Sequence, residues 1–400
     1  MTSRRNFIGR VSAGVAGTIA TMSPASQVLG ANERIRIGII GAGSRGQQLM
    51  REAIGCPGTE LASVADVYQR RHQECAAFAT AAKMYYDYRE MLADPSLDAV
   101  LIATPQHLHC EHFVAALEAG KHVYQEKTMA FTADHASRMR QAWQKAGRVV
   151  QIGHQSCSSG ALKDAQEILA TGRVGRITEI HAHMYRNTPH GKPQWSRPVY
   201  PDVTLQNVRW SLFLGQAPQR EFDPHRFINW RFFWDYSGGN VFENMVHQVA
   251  FWYKALDLKI PSAVTMRGGL YHWKDGREAP DTMSVVMEQP EEMLFTWSSG
   301  FGNDHLGSSE EVLGTDGTIS KKRQVRYSPQ KVNQPQGAET AASSRGESHM
   351  QNFLDSIRTG KQPNCPFEIG YRSSIACRMA VDSYREGRTV YWDEKREAIV

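Results

Sequence analysis

The chain has 400 residues, of which 41% are hydrophobic and 22% charged. This composition is typical of a soluble globular protein with two domains, and it excludes a disordered or multi-spanning membrane chain, because no apolar run of about 18 residues occurs. The net charge is +5, and without Arg4, Arg5 and Arg10 of the N-terminus the 46 basic residues fall to 43 against 41 acidic ones. This balance argues against a nucleic-acid partner.

Residues 1–31 have the pattern of a twin-arginine signal peptide. The segment Ser3-Arg4-Arg5-Asn6-Phe7-Ile8 precedes a weakly apolar stretch from Val11 to Met22 and small residues up to Ala31. The stretch is too short and too mild to span a membrane, so we expect export to the periplasm and no stable anchor after signal removal. This route carries folded proteins and therefore suits a tightly bound cofactor. The alternative is an ordinary basic N-terminus.

Residues 32–152 alternate short β-rich runs with helical runs, as a parallel sheet with helices on its faces requires. The predicted strands cover residues 35–40, 60–65, 84–86, 99–103, 122–125 and 148–152. The predicted helices cover residues 43–54, 68–81, a short piece ending at 92, 106–119 and a helix between Thr132 and Gly147. We therefore expect an α/β domain of the Rossmann type over residues 32–152.

Residues 153–400 change to long strands after one helix that Ser159 caps. Strands are predicted over residues 177–185, 263–273, 283–288, 293–299 and 311–321, the last with a turn at Asp316-Gly317. We expect an α+β domain with a large, open, mostly antiparallel sheet whose face suits a homo-oligomer, either a dimer or a tetramer. Residues 186–236 are rich in aromatic side chains and are predicted to wrap the sheet or to form a subunit contact.

The segment Gly41-Ala42-Gly43-Ser44-Arg45-Gly46 follows a predicted strand and opens a helix. In this context the first glycine permits a tight turn, the second lets the backbone approach a pyrophosphate and the third allows close packing of helix and strand. Asp66 ends the next strand, where a carboxylate accepts hydrogen bonds from ribose hydroxyls, and this favours NAD. Arg70 and Arg71 keep NADP as an alternative, because a guanidinium also binds a 2′-phosphate. A glycine-rich turn without a nucleotide is the structural alternative.

Two further segments follow strands at the edge where open α/β sheets place their ligands. Thr104 and His109 are expected to face the nicotinamide side of the cofactor, and helix capping is the alternative for the histidine. Glu126 and Lys127 follow the strand 122–125. A lysine at this edge can donate to a substrate hydroxyl and relay its proton while a neighbouring carbon gives up hydride. A solvated ion pair is the alternative.

A helix that is apolar on nearly all sides carries Glu243 and His247 one turn apart. His247 is predicted to act as a general base on the carbinol proton, with Glu243 orienting it or binding sugar hydroxyls. Asn244 is a further predicted substrate contact. A satisfied pair in the core is the alternative, and no metal site is predicted because no third ligand has convincing spacing.

Trp230, Arg231 and Tyr236 lie just upstream of this helix. Aromatic planes with a guanidinium suit the apolar face and the hydroxyl rim of a carbohydrate, so these residues are predicted substrate contacts. Plain packing explains them equally well.

Together these segments resemble the Gfo/Idh/MocA family, named for glucose-fructose oxidoreductase, inositol dehydrogenase and a rhizopine-catabolism protein. The resemblance covers nearly all of residues 34–390 and includes the turn Gly172-Arg173-Val174-Gly175. It implies a Rossmann domain, an open-faced sheet domain, NAD or NADP, chemistry on sugar or polyol hydroxyls, and Lys127 with His247 as the catalytic pair.

Three positions depart from the family pattern. Thr128 replaces the usual proline, so the turn around Lys127 is expected to be lost. Glu243 stands where an aspartate is common, and Ala250 where a second aspartate is frequent. These departures predict an altered substrate pocket.

Three functions follow from this pattern. The first is an NAD(P)-dependent oxidoreductase with tightly bound cofactor that acts on a carbinol of a small sugar, polyol or glycoside. The second is redox-neutral cleavage of a glycoside, in which transient oxidation permits elimination and the hydride then returns. The third is a non-catalytic sugar-binding protein on an inherited fold.

Overall fold

The computed structural model describes residues 34–188, 193–330 and 339–400. The predicted signal peptide, residues 1–31, lies outside these ranges. The described chain forms two sheets, one of six parallel strands and one of ten strands. The predicted combination of an α/β domain with an α+β domain is confirmed. Among the described residues, no helix has both the length and the apolarity to cross a membrane.

The first sheet belongs to the N-terminal domain. Its strands are β1 (Ile35–Ile40), β2 (Thr59–Ala65), β3 (Lys83–Tyr85), β4 (Ala99–Ile102), β5 (His122–Gln125) and β6 (Val150–Ile152). Their order is β3-β2-β1-β4-β5-β6 and every pairing is parallel. The order reverses between β1 and β4, so the crevice beyond the carboxyl ends of these two strands is where this fold binds ligands.

Helices cover the faces of this sheet, and the predicted one at residues 68–81 is too long. The observed helices are α1 (Ser44–Ile54), α2 (Gln69–Ala76), α3 (Tyr88–Leu92), α4 (His109–Glu118) and α5 (Ala133–Ala146). After α2 the chain continues in short turns, with Ala82 N donating to Ala79 O at 3.0 Å, and these turns place Ala79 in the core. The alanine spacing of this stretch therefore reflects packing against the domain and not a continued helix.

The second sheet is mixed but mostly antiparallel. Its strands are β7 (Ile177–Tyr185), β8 (Ala263–Gly269), β9 (Thr282–Gln289), β10 (Met293–Gly300), β11 (Ser308–Gly314), β12 (Gly317–Lys321), β13 (Val325–Pro329), β14 (Glu339–Thr340), β15 (Val390–Asp393) and β16 (Ala398–Ile399). Their order is β14-β13-β12-β11-β7-β10-β9-β8-β15-β16, and only β7 and β10 pair in parallel. The remaining helices are α6 (Gly160–Ala170), α7 (Trp210–Leu214), α8 (Pro224–Ile228), α9 (Val246–Leu256), α10 (His349–Thr359) and α11 (Phe367–Glu386).

The strand predicted over residues 263–273 ends early, at Gly269. The carboxylate of Asp281 accepts hydrogen bonds of 2.7 to 3.1 Å from the backbone N–H groups of residues 271, 272 and 273. This bonding turns the chain away from the sheet. The strand predicted over residues 311–321 is the hairpin of β11 and β12, and its turn lies where Asp316-Gly317 indicates.

The two domains share part of the chain. The sheets divide after β6, close to residue 152, but α10 follows the second sheet and packs back on the first domain. Met350, Phe353 and Leu354 of α10 are buried in the same core as Ile37 and Leu49. On the second sheet, α9 and α11 pack on one face, whereas Val286 and Leu294 on the other face are each 40% exposed.

Candidate active site

A cavity of about 530 Å³ lies at the carboxyl edge of the first sheet. The glycine loop at residues 41–46, Asp66 and Thr104 form its wall on the first domain. Residues between 195 and 231 and the side chain of Glu243 form its wall on the second domain. The cavity therefore has a glycine-loop end and a Glu243 end.

The glycine loop leaves room for a ligand at one position only. A Cβ on Gly41, whose φ is +91°, would lie 2.8 Å from backbone and side-chain atoms of residues 103 and 104, and a Cβ on Gly46 would lie 2.0 Å from Gly41 O. These two glycines are required by close packing of the protein itself. Gly43 has no atom within 4 Å of its Cβ position, so its backbone is open to the cavity. This cradle fits a pyrophosphate at the start of α1.

Asp66 lies at the end of β2 and lines the cavity. Its Oδ2 accepts a hydrogen bond from Ala42 N at 2.7 Å and its Oδ1 one from Tyr68 N at 2.9 Å. Burial raises the pKa of this carboxyl, and the two backbone hydrogen bonds oppose that shift. The carboxylate thus ties the glycine loop to β2 while facing the place where ribose hydroxyls are expected.

The two arginines after Asp66 are already paired with carboxylates. Arg70 binds Asp202 with a shortest contact of 2.6 Å, and Arg71 binds Glu74 at 2.7 Å. Arg71 lines the cavity and Arg70 does not. Asp66 at the ribose position favours NAD, Arg70 is held outside the cavity, and Arg71 pairs through one nitrogen and still lines the cavity.

Glu243 is the ionic centre of the other end of the cavity. It lies in a π-helical turn at residues 241–245 that leads into α9. Its Oε2 accepts a hydrogen bond from Lys127 Nζ at 2.9 Å, and its Oε1 accepts one from Gln106 Nε2 at 2.9 Å and lies 3.2 Å from Arg231 Nε. Burial alone would raise the pKa of this carboxyl, but Arg231 and Lys127 lower it to about 2. Glu243 is therefore an anion that fixes two cations.

Glu243 makes no hydrogen bond with His247 among the described residues, so its predicted role of orienting the imidazole or of binding sugar hydroxyls stays a prediction. The π-helical turn replaces the one-turn spacing of an α-helix, and both Glu243 oxygens are taken by other side chains. His247 is instead the only half-buried residue in the otherwise buried stretch 236–253. Burial, with Lys127 adding to it, lowers the pKa of His247 to about 3. The imidazole is thus neutral near pH 7 and the residue is half-buried.

Lys127 has a second anchor on the same turn, because its Nζ also donates to Glu243 O at 3.1 Å. The chain bends at Lys127 and Thr128, and the peptide bond between them is cis. Thr128 Oγ1 donates to Phe242 O at 2.7 Å. Lys127 and His247 are not among the residues that line the cavity, and they lie beside it around Glu243.

His154 is a site residue that the sequence reasoning missed. It is fully buried, and both ring nitrogens lack a hydrogen-bond partner among the described residues. Its ring centroid lies 5.7 Å from that of His247, with the ring planes at 89°. Burial and the neighbouring His247 hold the pKa of His154 well below its usual value. The available signal was its place just after β6, at the ligand edge of the sheet.

His109 and Glu126 do not contact the cavity as predicted. The ring nitrogens of His109 lie 2.7 Å from Thr128 O and 2.9 Å from Thr104 O, and the residue is fully buried. Glu126 accepts hydrogen bonds from Arg45 Nε at 2.7 Å and from Lys127 N at 3.1 Å. Both residues therefore brace the cavity wall, which Thr104 and Arg45 line.

The predicted substrate contacts divide into two groups. Trp230 and Arg231 line the cavity. Tyr236 does not, because it is fully buried and its ring packs 5.1 Å from the ring of Phe213. Asn244 does not line it either, because it is 7% exposed and its Oδ1 accepts from an arginine of the second domain.

Residues 195–214, here called the strap, cross from the second domain to the first. Tyr68 and Val208 form an antiparallel bridge, flanked by backbone hydrogen bonds of 2.8 and 2.9 Å. The ion pair of Arg70 with Asp202 fastens the strap further along. The predicted stretch 186–236 does contact the second domain at Trp195, whose ring lies 5.3 Å from that of Phe301. Most apolar side chains of the strap pack instead with Tyr68 in one cluster and cover the cavity, and the alternative of a subunit contact stays a prediction.

The fold and the cavity define a two-domain protein with a Rossmann domain of the dinucleotide-binding type. Residues 35–154 match the sequence model of the Gfo/Idh/MocA family, an oxidoreductase family with an NAD-binding Rossmann fold. The match supports the family resemblance and makes the first domain an NAD-binding Rossmann domain of oxidoreductase type.

Curated relatives are similar over part of their length. The 1,5-anhydro-D-fructose reductase of Ensifer adhaerens is 33% identical over 180 residues, 43% of this chain and 54% of that protein. The inositol 2-dehydrogenase of Salmonella paratyphi B is 33% identical over 154 residues, 38% of this chain and 46% of that protein. This chain thus spans about half the length of the relatives that it matches.

Solved structures are similar over the whole described fold. Levoglucosan dehydrogenase in complex with NADH and L-sorbose superposes with a TM-score of 0.69 at 18% identity, covering 90% of this chain and 98% of that one. An NAD-binding protein from Listeria innocua superposes with a TM-score of 0.67 at 19% identity, covering 90% and 97%. At this identity the likeness shows a shared fold.

Proposed function

We propose that the protein is an NAD-dependent oxidoreductase that acts on a carbinol of a sugar, polyol or glycoside. The observation that carries the proposal is the arrangement of Lys127, Glu243 and a neutral His247 at the end of a cavity whose other end is a dinucleotide cradle. The named relatives, a reductase of an anhydrosugar and dehydrogenases of inositol, act on substrates of this class.

The cofactor would be held by residues of the first domain. The open backbone at Gly43, with Ser44 beside it, would take the pyrophosphate and Asp66 the adenosine ribose, while Thr104 lies on the cavity wall further along. When bound, NAD would accept the hydride from the carbinol carbon. NAD is favoured over NADP because Asp66 faces the ribose position and Arg70 is held outside the cavity by Asp202.

Lys127 and His247 would have different roles at the carbinol oxygen. Glu243 holds the ammonium of Lys127, which would donate a hydrogen bond to this oxygen and stabilise its developing negative charge. His247 is neutral and carries a free lone pair, so it would accept the carbinol proton. Glu243 itself is a positioning residue, since its oxygens are occupied by Lys127, Arg231 and Gln106.

Export and cofactor retention belong to the same proposal. The twin-arginine pattern of residues 1–31 is consistent with transport of a folded, loaded enzyme to the periplasm. The strap supports retention, because it covers the cavity and is bonded to the first domain at Tyr68 and at Arg70. The exposed face of the second sheet would serve a homo-oligomer.

The test begins with the exported protein. It is purified, denatured and assayed for released dinucleotide, and the native protein is then mixed with sugars, polyols and glycosides while reduced nicotinamide is followed by absorbance. We expect bound NAD and reduction by a carbohydrate that is lost in Lys127→Met. Free sugar released from a glycoside without net reduction would indicate the redox-neutral reaction. Absence of dinucleotide, with added NAD failing to bind, would overturn the proposal in favour of a sugar-binding protein.

A further inference from the structure

Arg186 is a half-buried cation beside the Glu243 end of the cavity. It follows β7, and its Nη2 donates to Asn244 Oδ1 at 3.0 Å and contacts Met184 Sδ at 3.4 Å. With its amide oxygen turned towards the arginine, Gln194 accepts a hydrogen bond from Nη1 at 3.1 Å. All of these partners are neutral.

No ion pair within the described parts of the chain includes Arg186. Glu243 is the one carboxylate that acts on it electrostatically, and Lys127 and Arg231 already bind both oxygens of Glu243. The ranges outside the description do not supply another acid nearby in sequence, since residues 189–192 and 331–338 contain no Asp or Glu. Burial lowers the pKa of Arg186, and Glu243 opposes that shift.

The charges around the reacting position are therefore unequal. Lys127, Arg231 and Arg186 are cations, Glu243 is the single ionised carboxylate, and His247 is neutral. Glu126, the next carboxylate, is already paired with a guanidinium of the glycine loop. A half-buried cation without a counter-ion at a ligand site is expected to receive its counter-ion from the ligand.

Asn244 links this cation to the reacting groups. It directly follows Glu243 in the chain and lies three residues before His247, so Arg186 reaches the turn that carries the proposed catalytic groups. Like Lys127 and His247, Arg186 does not line the cavity itself, and its guanidinium lies beside the turn at which the carbinol is proposed to bind.

We propose that the substrate is an acidic sugar and that Arg186 binds its carboxylate. The inference rests on the proposed function and names the substrate class for it. A carboxylate fits better than a phosphate, because a phosphate group recruits several charged donors, whereas the hydrogen-bond partners of Arg186 are all neutral and its neighbours Lys127 and Arg231 are already bound to Glu243.

The experiment compares matched pairs of substrates. For wild type, kcat and KM are measured with glucose and glucuronate, galactose and galacturonate, and glucose against its 6-phosphate. We expect kcat/KM to favour the acid by about tenfold or more, as for one charge-assisted hydrogen-bonded pair. Arg186→Gln should remove this preference by raising KM for the acid alone, and Arg186→Lys should restore part of it.

The control is Arg176→Gln, which removes an exposed arginine at the other end of β7 and should leave both substrates unaffected. Calorimetric binding of glucuronate to wild type and to Arg186→Gln adds a measurement that needs no turnover. If Arg186→Gln lowers kcat/KM equally for neutral and acidic sugars, Arg186 has only a structural role and the inference is overturned. A higher wild-type kcat/KM for the neutral sugar or for the sugar phosphate would overturn the inference and leave the proposed function intact. Failure of every sugar to reduce the cofactor would refute the proposed function itself.

Discussion

The two ends of the cavity are built in different ways. The glycine-loop end comes mainly from residues 41–66, with Thr104 added to its wall, and Asp66 is bonded to the backbone of the glycine loop. The Glu243 end joins side chains from distant parts of the chain, such as Gln106 and Glu243, which are 137 positions apart. One end is a local turn that any Rossmann domain repeats, whereas the other depends on how the two domains meet.

The interactions also differ in kind. At the glycine-loop end, open backbone and a carboxylate held by amides leave a shaped space for a ligand. At the Glu243 end, charged side chains hold one another, so that removal of one changes the others. Substitutions of the proposed catalytic groups at the Glu243 end should therefore affect the chemical step, and substitutions at the glycine-loop end should affect cofactor binding.

The largest effect should come from Lys127→Met. The substitution removes the ammonium that donates to the carbinol oxygen, while Glu243 keeps Arg231 and Gln106 as partners. We expect kcat to fall about 10³-fold, within the range for loss of an acid–base group, with NAD content unchanged. Steady-state kinetics and nucleotide release on denaturation measure the two quantities.

Lys163→Met is the matched control, because Lys163 is exposed on α6. It should leave kcat and NAD content at wild-type values. A Lys127→Met protein that has lost its NAD as well as its activity would contradict the proposed separation between the two ends.

The next effect concerns His247 and pH. Because burial holds the pKa of His247 at about 3, its base form persists as the pH falls from 7.5 to 5.5, and kcat/KM should show no loss near the ordinary histidine pKa. The groups that face this ring are Lys127, Glu243, Arg45, Arg186 and His154. His247→Asn should lower kcat about 10²-fold over the whole range. An inflection near pH 6.5 that disappears in His247→Asn would show that this imidazole titrates normally.

The difference between the two ends also explains what the sequence can predict. The strand, the loop 41–46 and Asp66 are local, so spacing alone indicates the cradle that the structure contains. The partners of Glu243 are distant in sequence. A helical wheel predicts that Glu243 contacts His247, whereas in the π-helical turn Glu243 contacts Lys127. The contact between Lys127 and Glu243 depends on tertiary packing, and no periodicity in the sequence predicts it.

The same reasoning accounts for the residues that were placed wrongly or missed. His109 and Glu126 lie at the predicted edge of the sheet. However, His109 is hydrogen-bonded to neighbouring backbone and Glu126 to Arg45. His154 stands at that edge too, and its contact with His247 depends on how α9 packs against the turn after β6. Position at a strand end thus indicates the neighbourhood of the site, and packing decides which side chains face the ligand.

A smaller effect should follow from Gly43→Ala at the glycine-loop end. The residue has φ of −65°, which alanine adopts, and no protein atom lies within 4 Å of the added Cβ. The protein should fold normally, but the methyl group would occupy the pyrophosphate cradle, and we expect the Kd for NAD to rise about tenfold. Kd is measured by titration of nucleotide-free protein.

Gly55→Ala, at the other end of α1, is the control. Its φ is −71° and the nearest atom to its Cβ position is 3.4 Å away, an ordinary contact. An unchanged Kd in Gly43→Ala, or an equal rise in both variants, would mean that the loop does not hold the pyrophosphate.

The smallest effect should come from Asp202→Asn, which tests whether the strap makes the glycine-loop end depend on the second domain. The substitution removes the charge that holds Arg70, while the backbone bridge between Tyr68 and Val208 remains. Because this ion pair is partly exposed and screened by solvent, we expect NAD to dissociate only about threefold faster. Stopped-flow displacement of fluorescent NADH measures the rate, and Asp355→Asn, which loosens a comparable ion pair on α10, should not change it. If the two variants dissociate at the same rate, the strap does not retain the cofactor, and tight binding must come from the first domain alone.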